Sequence, residues 1–295
     1  GERLLERGPA LPLEEAAREL AGGGNPLAVF ADARGLDTAS MQALASEFNL
    51  SETTFVLPPA DPRHTARVRI FTPSAEIGFA GHPNIGTAWL LATQGRDVQG
   101  RLTLEGGSGL VDIDVERESG RLRMCRLMAP QALRLAAAPA AAELAPCAGL
   151  GAADIGRTDV ASVGLDCVCA EVAPEALARA RPDASAFRAA ADRWLGPQGR
   201  FMLCLYARDG DQLRSRVFGP LYGVTEDPAC GSATAALTGL LLERDAAANK
   251  RTVMRMGTEV GRPSVLYAGA ERSGDGVRVW LAGQCVEMMR GSISV

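Results

Sequence analysis

Apolar positions fall into short runs whose spacing alternates between a helical period and a strand period. Residues 11–21 (LPLEEAARELA) carry helical spacing, and Gly22, Gly23 and Gly24 would stop a helix there. NPLAVFADA then reads as a short strand entered through Asn25 and Pro26. Between Asp37 and Asn49, Met41, Leu44, Ala45 and Phe48 recur at i, i+3, i+4 and i+7, which predicts an amphipathic helix. TTFVLP (53–58) and RVRIFTP (67–73) predict strands, followed by a loop and an apolar helix opening near Gly86. Strands are expected at 101–116 and 121–129. Ala, Leu and Pro without a strong period fill 132–148, the natural join between two halves. Beyond it the pattern predicts a strand (159–172), a helix (174–195), strands at 200–207 and 213–218, and an apolar helix from Gly231 to Arg244. Short strands near 252–256, 263–268, 276–282 and 284–289 close the chain.

The two halves repeat one another. Arg69-Ile70-Phe71-Thr72-Pro73, a loop, and His82-Pro83-Asn84-Ile85-Gly86-Thr87-Ala88 match Arg216-Val217-Phe218-Gly219-Pro220, a loop, and Asp227-Pro228-Ala229-Cys230-Gly231-Ser232-Ala233. In this alignment His82 pairs with Asp227, and each Gly-Ser/Thr-Ala stands where a loop becomes a helix. Glycine there lets a ligand approach the backbone, and free N–H groups at a helix start attract anions. Two such ends across a pseudo-twofold axis would hold a small anionic metabolite between the halves.

Composition narrows the function classes. At 295 residues, 47% hydrophobic and 22% charged, the chain has material for two globular cores. A net charge of -4, with 31 basic against 35 acidic residues, argues against a nucleic-acid partner. No run has the length of a membrane-spanning helix, and residues 1–21 lack a signal-like apolar core, so the expected compartment is cytoplasmic. The seven cysteines are scattered without a CxxC pair, and His64 and His82 are the two imidazoles. Cys167 and Cys169 are read as pointing to opposite faces of one strand, so no metal cluster is expected.

Several residues carry candidate chemistry. Glu52 lies at the mouth of a strand among Leu50, Phe55 and Val56, where partial burial would raise its carboxyl toward neutrality; otherwise it is a solvated turn residue. His82 sits in a glycine-flanked loop before proline and either acts on a ligand or orients the loop. Asp227 is a functional carboxylate or an ordinary turn residue. Thr87 and Ser232 are expected as helix caps that also bind a substrate carboxylate. Cys230 reads first as a small buried hydrophobe. Arg262 holds either an acidic substrate or a loop.

These motifs together resemble the PhzF-like phenazine-biosynthesis family. The likeness rests on Gly24-Asn25-Pro26, on Asn49-Leu50-Ser51-Glu52-Thr53-Thr54-Phe55-Val56, and on Phe79-Ala80-Gly81-His82-Pro83-Asn84-Ile85-Gly86-Thr87-Ala88. Glu226-Asp227-Pro228-Ala229-Cys230-Gly231-Ser232-Ala233 and Gly261-Arg262-Pro263-Ser264 extend it, so that it runs from about residue 24 to the C-terminus. The resemblance implies an α+β fold like diaminopimelate epimerase, with two pseudo-symmetric domains that each wrap a mixed sheet around a central helix. Expected bounds are 1–131, 132–280 and a closing strand, 281–295, that returns toward the first half.

It also implies an isomerase or epimerase that needs no cofactor or metal and forms a homodimer. Glu52 would be the general acid/base, with His82 and Asp227 as catalytic partners. Gly81, Gly86, Thr87, Gly231 and Ser232 would bind the substrate. Cys230 stands where phenazine relatives commonly carry Thr. Amino-acid racemases of this fold use a catalytic cysteine in a similar loop, and the repeat alignment puts Ile85 where their second one belongs. The alternatives are therefore a racemase that uses Cys230, or a metabolite-binding protein that keeps the cleft without turnover.

Overall fold

A computed structural model describes residues 22–209, 212–274 and 276–293. The helix expected at 11–21 lies outside the described residues. The first half runs β1 (Leu27–Phe30), α1 (Thr38–Phe48), β2 (Glu52–Leu57), β3 (Ala66–Phe71), β4 (Glu76–Ile77), α2 (Gly81–Thr93), β5 (Arg101–Gly106), β6 (Gly109–Glu118) and β7 (Arg121–Met128). The second runs β8 (Arg134–Ala136), α3 (Ala141–Leu144), β9 (Ile155–Ser162), β10 (Asp166–Val172), α4 (Pro174–Arg179), α5 (Ala184–Trp194) and β11 (Met202–Asp209). It continues through β12 (Gln212–Gly219), β13 (Val224–Asp227), α6 (Gly231–Arg244), β14 (Asn249–Met256), β15 (Ser264–Ser273) and β16 (Gly276–Gly283).

Pairing repeats strand by strand. β1–β2 and β3–β5 are parallel, while β2–β3, β3–β4, β5–β6 and β6–β7 are antiparallel. The same senses recur in β10–β11, β12–β14, β11–β12, β12–β13, β14–β15 and β15–β16. Register repeats as well: Ala66 and Arg67 face Leu104 and Glu105, as Leu213 and Arg214 face Met254 and Arg255. β16 joins the halves by pairing antiparallel with β7, from Trp280 opposite Met128 to Gly283 opposite Cys125. The fold is α+β, with two pseudo-symmetric domains.

α6 is buried from Gly231 to nearly its C-terminus because Ala, Thr, Gly and Leu surround its axis. With α2 it occupies the largest core, which spans both halves. α1 follows its predicted pattern. Asp37 accepts the Ser40 N–H at 2.8 Å, Met41, Leu44 and Ala45 are buried, and Asn49 ends the helix in the left-handed conformation. Phe48 stays 40% exposed and meets Phe30 edge-on instead of entering the core.

The structure divides several expected elements. Residues 101–116 fold back at Gly107-Ser108-Gly109, with Gly109 at φ +115°. Residues 159–172 form two antiparallel strands around Gly164. The helix expected over 174–195 is broken before Pro182, since a residue preceding proline is driven out of helical conformation. No strand forms at 284–289, because pairing with β7 ends at Gly283. α2 opens at Gly81 instead of near Gly86, since Pro83 falls in a first turn whose N–H groups have no helical partner.

Cys167 and Cys169 do not point to opposite faces. Positions i and i+2 of a strand share a face, and the sulfurs of Cys167, Cys169 and Cys204 lie within 4.8 Å of one another.

Candidate active site

Glu52 is the first residue of β2, His82 the second of α2, and Asp227 the last of β13. The fold brings the three together. Glu52 Oε2 lies 3.3 Å from His82 Nε2, and the Asp227 carboxylate is close enough to oppose ionisation of Glu52. Burial first, and Asp227 second, push the Glu52 carboxyl up to about 7. Burial holds His82 down at about 4. The pair is therefore a neutral imidazole facing a carboxyl that titrates near neutrality, and not an ion pair.

Asp227 is also raised by burial, although it accepts the Ala229 N–H at 2.9 Å and the Asn25 amide at 3.2 Å. In the cleft, Glu52 Oε2, His82 Nε2 and Asn25 Oδ1 are buried without a hydrogen-bond partner. Buried polar atoms are seldom left so, which marks this cleft as a place where a ligand completes the bonding. Cys230 is a buried thiol held far above the thiolate range by desolvation, with its sulfur 3.4 Å from the Ser232 hydroxyl.

The two helix starts meet. One methyl of Leu281 stands 3.1 Å from where a Cβ on Gly81 would lie and 2.5 Å from one on Gly231. A side chain at either position would crowd that methyl, more so at 231. Neither N-cap residue, Ala80 or Cys230, uses its side chain as a cap, so the first-turn N–H groups stay available.

The strand register corrects the expected alignment of the repeat. Ile70 faces Ile77 as Val217 faces Asp227, and Thr53 faces Phe71 as Leu203 faces Phe218. The equivalent of Asp227 is therefore Ile77, and His82 corresponds to Ser232. Other features agree. The Asn84 amide donates to the Ala80 carbonyl at 2.9 Å, as the Thr234 hydroxyl donates to that of Cys230 at 2.9 Å. Arg69 grips Glu76 through two bonds and stacks over Phe71, as Arg216 grips Glu226 and stacks over Phe218.

The position matching Cys230 is thus Ala80, and Ile85 is a buried helix residue. Gly86 and Thr87 do not stand at a helix start. Gly86 packs against Leu27, and Thr87 is fully buried and bonded to Thr54 at 2.8 Å. Three extra residues before β13 shift the second copy, and the dipeptides His82-Pro83 and Asp227-Pro228 look alike in sequence without corresponding in structure.

Asn25, within the Gly-Asn-Pro motif, donates its amide to Asp227 across 202 residues, a link that no local pattern signals. Arg262 holds a loop: its guanidinium donates to the Gly24 carbonyl at 2.7 Å and to Gly23 at 2.9 Å. Ser264 joins it by accepting the Gly24 N–H at 3.1 Å. Among the described residues, Cys167, Cys169 and Cys204 are the one group of three or more metal-type donors that converge. No helix among the described residues is long and apolar enough to cross a membrane.

The profile of the phenazine biosynthesis-like protein family matches residues 15–291. An isomerase from Mesorhizobium japonicum is 39% identical over 82% of this chain and 83% of its own length. Trans-2,3-dihydro-3-hydroxyanthranilate isomerase from Pseudomonas aeruginosa is 37% identical over 86% of this chain and 87% of its own. In structure, a PhzF-family phenazine biosynthesis protein from Bacillus anthracis superposes with a TM-score of 0.78 at 24% identity, covering 88% of this chain and 90% of that one.

Proposed function

The chain belongs to the phenazine biosynthesis-like family and is an isomerase, and from that premise we propose that it moves a proton between carbons of a small cyclic carboxylate, with Glu52 as the single acid/base. The observation that carries this reading is the Glu52 carboxyl, raised to about 7 beside an imidazole that stays neutral. Such a carboxyl takes a proton from carbon and returns it at the same pH.

The symmetry of the fold does not extend to the carboxyls of the cleft. In the second copy the residue matching Glu52 is Met202, and the one matching Asp227 in the first copy is Ile77. One acid/base on one side of the cleft suits a shift of a proton along a single face of the substrate. A racemase needs groups on both faces. The raised Cys230 thiol and the alanine at position 80 both speak against that alternative.

The remaining groups serve binding. First-turn N–H groups of α2 and α6, with the Ser232 hydroxyl, bind the substrate carboxylate and stabilise charge that spreads onto it as the proton leaves. His82 and Asp227 position the ring, and Asn25 fixes Asp227.

The test is an NMR assay in deuterated water, with trans-2,3-dihydro-3-hydroxyanthranilate and a panel of small cyclic carboxylates. Conversion by the native chain that is lost in Glu52→Gln supports the reading. Conversion that survives in Glu52→Gln ends it. Tight binding without conversion or exchange of any compound would favour a non-catalytic binding protein.

A further inference from the structure

Cys167 and Cys169 project from one face of β10, and Cys204 stands on β11 in register with Cys169. All three side chains are shut off from solvent, within the core that α6 covers. Their sulfurs lie within 4.8 Å of one another. We propose that this triad is a binding site for a soft, thiophilic metal ion of the Cu(I) kind, held by three sulfurs.

Size argues for it first. A metal–sulfur bond of about 2.3 Å in a planar three-coordinate site separates its sulfurs by about 4 Å, so small side-chain adjustments close the triad on an ion. Donor type argues next. Thiols select soft ions over hard ones, and no carboxylate, imidazole or fourth thiol among the described residues joins the group. A structural zinc site wants four ligands, which this triad does not offer.

Each coordinating thiol releases its proton to solvent as the ion binds, so retention should strengthen as pH rises.

The competing account is that three cysteines merely fill space as small hydrophobes. Because the triad is enclosed, loading is tested both on the folded chain and on chain refolded with the ion. The probe is Cu(I), kept reduced under anaerobic conditions and delivered from a chromogenic chelator. One ion retained per chain, with thiolate-to-copper charge-transfer absorption, is the expected result. Cys169→Ala and Cys204→Ala should each weaken retention by roughly a hundredfold or more, since even indirect partners of a metal site cost about ten- to a hundredfold. Cys285→Ala and Cys147→Ala should leave it unchanged, and Zn(II) should compete poorly.

Circular dichroism of each variant without copper separates lost binding from lost folding. If either triad variant fails to fold, Cys167→Ser replaces it. Absence of retained copper in both preparations overturns the proposal. So does retention that survives loss of triad thiols or depends on Cys285.

Discussion

Glu52 Oε2 and His82 Nε2 face each other at 3.3 Å, and neither has a hydrogen-bond partner. With His82 held at about 4 and Glu52 at about 7, the two do not ionise as a pair at any pH between those values. The imidazole is a neutral polar wall beside the carboxyl, and under the proposed function the proton to be transferred belongs to Glu52.

Catalysis should separate Glu52 from Cys230. Glu52→Gln keeps shape and most hydrogen bonding but removes the transferable proton, so turnover should fall roughly a hundredfold or more. Cys230→Thr should retain most activity. Steady-state rates of both variants on one substrate decide the matter, and the reverse order of damage would mean a thiol mechanism.

The pH profile should report the same group. Proton abstraction needs the Glu52 carboxylate, so kcat/KM should rise about tenfold per pH unit below about 7 and level off above it. His82 titrates too low to add a break between pH 5 and 9. A flat profile through neutrality would contradict the assignment.

Stability should carry the matching signature. The folded-state value of Glu52 stands above its ordinary 4.5, so its favourable contribution is complete below pH 4.5 and is lost as pH rises through about 7. His82 runs the other way: its contribution is complete above 6.5 and is lost as pH falls through about 4. Glu52→Gln should therefore be more stable than the native chain at pH 8, by up to about 3 kcal/mol, and equal to it near pH 4. Thermal melts at the two pH values measure the difference.

Contact between Gly231 and Leu281 should limit the cleft. A Cβ at 231 would stand 2.5 Å from a Leu281 methyl, so Gly231→Ala should cost about 1–3 kcal/mol and most activity. Adding Leu281→Ala should restore part of the activity by removing the clash. Equal activity in the single and double variants would show that the crowding is irrelevant.

Arg262 should act through the loop that it holds. Arg262→Ala leaves the Gly23 and Gly24 carbonyls without their donor and loosens the segment that places Asn25 on Asp227. The expected cost is about 1–3 kcal/mol of stability and a clear fall in kcat/KM, with partial recovery in Arg262→Lys. A direct substrate contact would instead raise KM without changing the melting temperature.

Local features of the fold were legible before any contact was known. Met41, Leu44 and Ala45 marked a buried helix face, and Arg-aliphatic-Phe-x-Pro marked equivalent strands in two halves, because side-chain periodicity and composition are local properties. Glu52, His82 and Asp227 were recognisable as a set through neighbouring motifs. What followed from three-dimensional packing was of another kind. Strand pairing moved the repeat so that His82 matches Ser232 and Ala80 matches Cys230, since register is a relation between strands and not within one. Burial raised Glu52 and lowered His82, and desolvation depends on what the whole chain places around a group. Tertiary structure likewise joined Asn25 to Asp227 across 202 residues and gathered Cys204 to Cys167 and Cys169. Sequence determined which residue types each element carries; only the packed sheet decided which of them meet, because contacts between distant segments arise when the strands and helices are packed together.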